Sequence, residues 1–402
     1  MKSYDAMVIG AGPAGATAAV MLARAGWSVA VVEKALFPRR KVCGEFISAT
    51  SLPLLRELGL ADAYVAQAGP PVRQVGLYAG NTMLAADMPR PRDGTEAYGR
   101  ALGREHFDAL VLNAAATAGA EVWQPWTLTE IARAEGGYTA TAVAKDARET
   151  VKLHARIVIA AHGSWEPGML PTQIAGGPPR GSDLFAFKAH FRNCSLPAGL
   201  MPLLIFPGGY GGMVHSDGGR VSLSCCIRRD TLARCRRLSP NIKAAEAVVA
   251  HIRAACRGVD AALHGATRDA TWLSAGPIRP GIRAIRRDGV FAVGNAAGEA
   301  HPIVAEGISM AIQSSWLLCE RLIAHKQEIR SGRGTAWLAR DYAASWRRNF
   351  ARRVHAAAVF AQLATRPAAA RVAVALLARA PGMLTLGAYL SGKAQSLSVE
   401  KV

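Results

Sequence analysis

The N-terminal 33 residues contain the pattern that most restricts how this chain folds. A short apolar run ends in a turn with three glycines at the spacing G-x-G-x-x-G, namely Gly10, Gly12 and Gly15. A helical pattern follows, and a second apolar run at residues 29–32 ends at Glu33. This order of strand, glycine turn, helix, strand and acid predicts a Rossmann βαβ unit that binds a dinucleotide.

Each position of the turn has a physical role. Gly10 permits the tight turn, Gly12 leaves room for the backbone to approach a pyrophosphate, and Gly15 lets the helix pack closely on the strand. The N-terminus of this helix presents free N–H groups and a positive dipole end to phosphates. Glu33 is placed to accept hydrogen bonds from a ribose diol, and its charge would repel the 2′-phosphate of NADP.

Charge and cysteine content narrow the class of protein. The 402 residues carry a net charge of +19, which suits anionic partners, but no nucleic-acid motif is present and we expect no nucleic-acid partner. The seven cysteines are odd in number and show no metal-ligand spacing, so we expect reduced thiols and no metal site. The first strand begins by residue 4 and no apolar stretch of about 18 residues occurs, which predicts a cytoplasmic protein.

Two further turns follow buried strands later in the chain. The apolar run at 155–161 ends at His162 and Gly163, and the short run at 290–293 ends at Gly294 and Asn295. A long helix is predicted from Gly307 to about residue 324, with its N-terminus directed toward the loop before it. Between these turns, residues 166–280 are rich in proline, glycine and extended runs, which predicts a mainly antiparallel sheet.

Three other segments complete the prediction. A single helix is expected over residues 50–66, and an antiparallel hairpin around Gly80. Another helix should begin near Arg104, with its guanidinium directed at the ligand of the glycine turn. The C-terminal 335–402 region is rich in alanine, arginine and leucine, which is typical either of a helical cover over the substrate domain or of a surface in peripheral contact with the anionic inner face of a membrane.

The glycine turn with Glu33, the His162–Gly163 turn, and Gly294–Asn295 with the helix start after Pro302 occur in the order found in one flavoprotein group. The chain resembles the FAD-dependent monooxygenases of the aromatic-hydroxylase type and their relatives, the geranylgeranyl reductases and flavin halogenases. The 41–45 segment, Lys-Val-Cys-Gly-Glu, is similar to the reductase branch. The whole pattern looks most like flavoprotein hydroxylases of phenolic-lipid, alkylresorcinol-type pathways.

The resemblance implies an α/β fold with a Rossmann-like FAD-binding domain, built from a parallel sheet plus a β-meander, an inserted mainly antiparallel substrate domain, and a helical C-terminal region. The implied FAD-binding domain spans 1–75, 99–165 and 281–330. The implied substrate domain spans 76–98 and 166–280, and the C-terminal region spans 331–402.

The resemblance also implies which residues bind FAD. These positions are Gly10, Gly12, Ala14, Gly15, Glu33, Lys41, Cys43, Arg104, Gly294, Asn295, Gly307 and Ile308. The chain departs from the family pattern at three of its motif positions. His162 and Asn295 each stand where Asp is usual, and Ala305 stands where Gly is common, so these departures bear on how a nicotinamide would dock.

The implied reaction is hydroxylation of an aromatic, phenolic-lipid type substrate with NAD(P)H and O₂, through a flavin C4a-hydroperoxide. Two alternatives remain open: a flavin-dependent reductase that saturates C=C bonds of a prenyl or polyene lipid, and a non-catalytic flavin-binding protein of the membrane surface. A phenolic substrate requires a base, and His301 and Glu306 are the candidates by type and position.

Overall fold

The computed structural model describes residues 1–91, 98–146, 148–163, 168, 170, 172–173, 177–394 and 397. The elements up to residue 163 are, in chain order, β1 Lys2–Ile9, α1 Pro13–Arg24, β2 Val29–Val32, β3 Phe46–Ile47, α2 Leu52–Glu57, α3 Ala61–Gln67, β4 Gln74–Ala79, β5 Thr82–Asp87, β6 Arg100–Ala101, α4 Arg104–Thr117, β7 Glu121–Trp123, β8 Trp126–Ala134, β9 Gly137–Ala144 and β10 Thr150–Ala160.

The remaining described elements begin after residue 177. They are β11 Leu184–Arg192, β12 Leu200–Phe206, β13 Gly209–His215, β14 Val221–Arg228, α5 Arg229–Leu238, α6 Ala244–Ala255, α7 Arg257–Ala262, β15 Thr267–Arg268, β16 Leu273–Ile278, β17 Gly281–Ile282, β18 Arg286–Arg287, β19 Val290–Ala292, β20 Gly298–Glu299, α8 Gly307–Ala324, α9 Lys326–Arg330, α10 Ala336–Thr365, α11 Pro367–Arg379 and α12 Gly382–Ala388.

The first sheet is a parallel Rossmann sheet with an antiparallel extension. Its parallel strands lie in the order β7-β2-β1-β10-β19, and β8 and β9 form a meander on β10. Helix α1 packs against α8 and α4 on this sheet. The many alanines of α1 allow that close approach, and most of its residues are buried. The predicted parallel sheet with a β-meander is confirmed.

The second sheet is mainly antiparallel and joins two separate stretches of sequence. Its order is β15-β11-β14-β13-β12-β4-β5, with β16 on β11, and its β12–β4 pair is parallel. The β4–β5 hairpin, predicted around Gly80, therefore extends the sheet formed by residues 184–278. The mainly antiparallel character of the inserted region is confirmed. The domain boundaries stay predictions, and the boundary at 165/166 lies outside the described residues.

The helix predicted over residues 50–66 is broken in two. Its first part ends where the Leu60 N–H donates to the Leu55 carbonyl at 2.8 Å and the Gly59 N–H donates to the Arg56 carbonyl at 2.8 Å. This pair of bonds is a Schellman cap, and it requires the left-handed conformation that Gly59 adopts at φ +61°. The continuous apolar spacing concealed this stop signal.

The C-terminal helices cover the second sheet. Helix α10 packs on α8, β12 and β13, and α12 packs on β4 and β5. Among the described residues, no single helix is long and apolar enough to span a membrane. The segments Pro367–Arg379 and Gly382–Lys393 meet that length and composition criterion only together, and they are bent by 116°. Residues 395–396 and 398–402 of the predicted C-terminal region lie outside the described part.

Candidate functional site

One large cavity lies between the two sheets and the C-terminal helices. Its volume is about 1180 Å³, above the roughly 300–1,000 Å³ of an ordinary small-molecule site. Twelve of the predicted site residues line it: Gly10, Gly12, Ala14, Glu33, Lys41, Cys43, Arg104, Gly294, Asn295, His301, Gly307 and Ile308. The fold therefore assembles residues up to 298 positions apart in sequence around one space. Gly15 and Glu306, both in the described part, lie outside its wall.

The glycine turn has the geometry expected of a pyrophosphate cradle. Gly10 has φ +100°, and a Cβ on Gly15 would lie 1.8 Å from the Gly10 carbonyl oxygen. A Cβ on Gly12 would meet only the Arg104 Nη2 atom, at 3.6 Å, so this position faces open space. Gly10 and Gly15 thus allow the turn to close, whereas Gly12 keeps the cavity free beside the backbone.

Two helix N-termini meet this cavity. Helix α1 begins directly after Gly12, and α8 begins at Gly307, whose added Cβ would meet nothing within 4 Å. The first N–H groups of a helix have no partner inside the helix, and they lie at the positive end of its dipole. The cavity therefore offers two separate places for negative charge, as the pyrophosphate and the electron-rich ring of FAD require.

Glu33 is fixed at the edge of the cavity by backbone contacts. Its two carboxylate oxygens accept hydrogen bonds from the Ala11 N–H at 2.8 Å and the Ala35 N–H at 2.9 Å. The side chain is buried, with the Arg39 guanidinium 3.6 Å away. The carboxylate is held rigidly at the end of β2, where the ribose contact was predicted.

Arg104 lies at the start of α4, as the sequence predicted. Its guanidinium donates two hydrogen bonds to Asp108, at 2.6 and 2.7 Å, while its side chain borders the cavity beside Gly12. Burial opposes the charge, but the Asp108 carboxylate outweighs it and raises the pKa of Arg104 above its usual range. Asp108 therefore keeps a rigid cation next to the glycine turn.

The 41–45 loop brings a cation and a thiol to the cavity. Burial, together with the nearby Arg39 and Arg104 cations, lowers the pKa of Lys41 to about 8. The Cys43 Sγ accepts a hydrogen bond from the Glu45 N–H at 3.4 Å. Glu45 itself adopts a left-handed backbone conformation, with φ +67°, which is uncommon for a residue with a side chain.

Sequence reasoning missed a buried ionic cluster that holds this loop. The Glu45 carboxylate pairs with the Lys188 ammonium and lies 2.7 Å from His190 Nε2, and all three side chains are fully buried. Although burial opposes it, hydrogen bonding to His190 and the charge of Lys188 hold the pKa of Glu45 well below its usual range. The available signal was Lys188 and His190 two residues apart in an apolar strand, which places both on one face of β11.

The predicted Gly294–Asn295 turn lies against the start of α1. Gly294 has φ +59°, and a Cβ there would lie 2.8 Å from the Ala14 Cβ. Its N–H donates to Ser314 Oγ at 2.8 Å, and the Asn295 carbonyl accepts from Arg283 Nη1 at 2.8 Å. These contacts fix the backbone that presents Asn295 to the cavity.

The predicted His162–Gly163 turn also reaches the cavity. Burial lowers the pKa of His162 to about 4, so the imidazole is neutral near pH 7, and its Nε2 lies 2.8 Å from Thr172 Oγ1. Ser164 and Trp165, which follow in the sequence, lie outside the described residues. Ala305 adopts φ +51°, which explains why glycine is the common residue at that position.

His301 pairs with a tyrosine that the sequence did not indicate. The Tyr210 hydroxyl lies 3.4 Å from His301 Nδ1, and both residues line the cavity. Burial lowers the pKa of His301 and raises that of Tyr210 well above its usual range. Near neutral pH the pair therefore consists of an uncharged imidazole and an intact phenol.

Glu306, a candidate base in the sequence analysis, does not line the cavity. Its carboxylate accepts from the Lys393 ammonium at 2.9 Å and from Ser48 Oγ at 3.1 Å, and it is buried behind the start of α8. The contact with Lys393 attaches the segment that follows α12 to the α8 N-terminus. The structure thus brings His301 to the cavity and leaves Glu306 behind its wall.

These residues fit FAD. The turn has space where a Cβ would stand at Gly12, the α1 and α8 N-termini offer unpaired N–H groups, and the carboxylate of Glu33 is fixed at the end of β2. Among the described residues, no group of three or more His, Cys, Asp or Glu side chains is arranged to hold a metal ion.

Comparisons with known proteins agree with this geometry. The chain is 28% identical over 336 residues to conditioned medium factor receptor 1 of Dictyostelium discoideum, covering 80% of this chain and 63% of that protein. It is 31% identical over 142 residues to menaquinone reductase of Mycolicibacterium smegmatis, covering 35% of this chain and 34% of that protein. Rifampicin monooxygenase of Streptomyces venezuelae is 25% identical over 325 residues, covering 80% of this chain and 64% of that protein. The chain thus spans less than two thirds of these relatives.

The fold and the family follow from two further matches. The structure superposes on the myxobacterial chondrochloren halogenase with a TM-score of 0.73 and 21% identity, covering 87% of this chain and 80% of that one. The family model described as "FAD binding domain" matches residues 3–358. These matches confirm the predicted fold and FAD cofactor, and they support the prediction of an FAD-dependent oxidoreductase. The chain belongs to the FAD-binding-domain family of flavoenzymes.

Proposed function

We propose that this protein is an FAD-dependent monooxygenase that uses NAD(P)H and O₂ to hydroxylate an aromatic ring carrying an apolar chain. The observation that carries the proposal is the continuity of the cavity. The wall that contains Gly307 and Ile308 continues without interruption to apolar side chains of the C-terminal helices, such as Phe360, Leu377 and Leu384. An aromatic head near α8 and an alkyl chain among these helices would fill this space.

The polar pair His301–Tyr210 supplies the acid–base chemistry. A hydroxyl can both donate and accept a hydrogen bond, so the tautomer with Nδ1–H directed at the Tyr210 oxygen leaves Nε2 to accept a proton. Because burial keeps His301 neutral, it is ready to take the proton of a phenolic substrate. Deprotonation raises the electron density of the ring, which favours attack on an electrophilic oxygen.

Bound FAD supplies the redox chemistry, taking up hydride and activating O₂. The N–H groups at Gly307 and Ile308 would stabilise negative charge on the flavin through the α8 dipole, by about 1–2 kcal/mol. The apolar wall excludes water from the reacting atoms. Gly10, Gly12, Ala14, Glu33 and Arg104 would hold the adenosine and pyrophosphate half.

Oxygen uptake tests this function. FAD-loaded protein would be mixed with NADH or NADPH and with resorcinols bearing alkyl chains of increasing length. We expect O₂ consumption that depends on the substrate and strengthens with chain length, together with a product heavier by one oxygen atom. If no aromatic compound stimulates O₂ uptake, the monooxygenase proposal fails.

Replacing the proposed base should slow the reaction selectively. We expect His301→Gln to lower kcat by about 10²–10⁴, since that is the usual contribution of a general base, while FAD content stays unchanged. The measurement is substrate-dependent O₂ uptake at several pH values. His264→Gln, at an exposed histidine, is the matched control, and equal turnover of the two variants would contradict the role of His301.

A second candidate function is flavin-dependent reduction of C=C bonds in a prenyl or polyene lipid. Cys43 favours it, because this thiol borders the cavity in the loop that is similar to the reductase branch, and menaquinone reductase is among the relatives. Anaerobic reduction of a polyprenyl substrate by NAD(P)H, without O₂ uptake on aromatic compounds, would select this reaction. Absence of both activities would leave a non-catalytic flavin-binding protein.

A further inference from the structure

Exposed apolar side chains are concentrated in the C-terminal helices. Between residues 359 and 390, seven large apolar side chains are exposed: Val359, Leu363, Val372, Leu376, Met383, Leu386 and Leu390. Val372 is 63% exposed, and Leu376 and Leu386 are 52% and 53% exposed. A cluster of this kind on one short segment usually marks an interaction site.

Five of these seven side chains lie at the rim of the cavity. Leu363, Leu376, Met383, Leu386 and Leu390 belong to the cavity wall although they are exposed. The apolar part of the cavity therefore reaches the surface at an apolar rim. A molecule leaving a hydrocarbon phase would meet apolar side chains at this rim.

The charged residues of this segment are all basic. No Asp or Glu occurs between residues 342 and 394. Exposed arginines occur along α10 and α11 and at the junction between them, at positions 347, 348, 352, 366, 371 and 379. Basic side chains beside exposed leucines are the composition of surfaces that bind anionic lipid headgroups while their apolar residues enter the acyl region.

We propose that α11, α12 and the end of α10 form a docking surface for an anionic lipid bilayer, and that the lipid-like substrate enters the cavity directly from the membrane. The claim about substrate entry rests on the proposed function, whereas the docking itself does not. The 116° bend between the two apolar segments fits helices that lie along the interface, since a spanning helix needs about 20 consecutive residues.

Vesicle binding by the FAD-loaded full chain tests the docking surface. Co-sedimentation would compare vesicles of phosphatidylcholine with vesicles containing phosphatidylglycerol. We expect at least about tenfold tighter binding to the anionic vesicles and a marked weakening at high salt, because exposed charge pairs are screened. Carbonate at high pH should release the bound protein, and resistance to it would contradict an interfacial position.

Two aspartate substitutions distinguish binding through this surface from non-specific binding through other exposed apolar side chains. Val372→Asp lies outside the cavity wall and should weaken binding to anionic vesicles at least about tenfold, because it places a carboxylate in the lipid interface. The control is Leu238→Asp on α5, where the leucine is 79% exposed, and it should bind as the unmodified protein does. Bound FAD and circular dichroism verify the fold of both variants.

The outcomes test membrane docking separately from the proposed reaction. If the unmodified protein does not sediment with anionic vesicles, or if both variants lose binding equally, the docking surface is refuted whatever the oxygen assay shows. If Val372→Asp alone loses binding, docking stands even if no aromatic compound stimulates O₂ uptake. Substrate delivery is then tested by adding the long-chain resorcinol in vesicles, where Val372→Asp should slow turnover only for the membrane-bound compound.

Discussion

Gly12→Ala should weaken FAD binding by about two to four powers of ten while leaving the apoprotein folded. A Cβ at Gly12 would contact only Arg104 Nη2, at an ordinary 3.6 Å, so the empty fold accepts alanine. The same Cβ would occupy the space where the turn approaches a pyrophosphate. A pyrophosphate pushed away from the turn would lose charge-assisted hydrogen bonds from the N–H groups at the start of α1. The loss of two such bonds, at about 1.5–3 kcal/mol each, corresponds to about two to four powers of ten in FAD affinity. Titration of apoprotein with FAD, followed by flavin fluorescence, measures the effect.

Two other glycines serve as controls for this substitution. At Gly15 a Cβ would lie 1.8 Å from the Gly10 carbonyl oxygen, so Gly15→Ala should lower both the thermal stability of the apoprotein and its FAD binding. Gly334 is exposed and its Cβ would meet nothing within 4 Å, so Gly334→Ala should change neither. Normal FAD affinity in Gly12→Ala would show that the dinucleotide does not lie on this turn.

Lys188→Met should be among the most destabilising single substitutions in the molecule. It removes the ammonium group from a fully buried cluster and leaves the Glu45 carboxylate with His190 as its remaining close ionisable partner. Removing one member of a buried ion pair typically costs about 3–5 kcal/mol. Urea unfolding measures the free energy directly. Arg253→Met breaks the exposed Arg253–Asp260 pair at 2.7 Å and should cost about 1 kcal/mol or less.

The pH dependence of stability reports on the same cluster. Because the pKa of Glu45 lies below its ordinary value of 4.5 in the folded protein, its contribution is fully present above that value. The contribution is lost as the pH falls from there toward the folded-state pKa, since the unfolded chain then binds the proton more readily. Glu45→Gln should therefore flatten the acid limb of the stability profile. An unchanged acid limb would show that other carboxyl groups dominate it.

The cluster also matters for the position of the loop beside the cavity. Glu45 belongs to the same five-residue segment as Lys41 and Cys43, and its partners Lys188 and His190 belong to β11 of the second sheet. The ionic contact therefore attaches the 41–45 loop, which follows β2 of the first sheet, to β11 of the second sheet. A loosened loop should raise KM for the substrate and disturb bound flavin absorbance, which distinguishes it from a purely global loss of stability.

Local features of the chain were predictable because nearby residues determine them. The βαβ unit follows from apolar runs and glycine spacing, and the structure places its strands and helix at Lys2–Ile9, Pro13–Arg24 and Val29–Val32. The α8 helix begins at Gly307, as predicted, because Pro302 and the turn at Ala305 end the preceding segment. The broken helix near Gly59 was missed because its apolar spacing continued across a left-handed cap.

The amino-acid sequence by itself determined the Rossmann unit, the order of the three turns and most of the predicted residues that line the cavity, since short-range spacing sets backbone conformation and faces. Only the tertiary structure decided the environments of the charged and apolar groups. Glu306 faces Lys393, 87 positions away, and Glu45 faces Lys188, 143 positions away. Packing of the C-terminal helices likewise places leucines of α11 and α12 at the rim of the cavity. Such partners are chosen by packing between distant segments, which local sequence patterns do not encode.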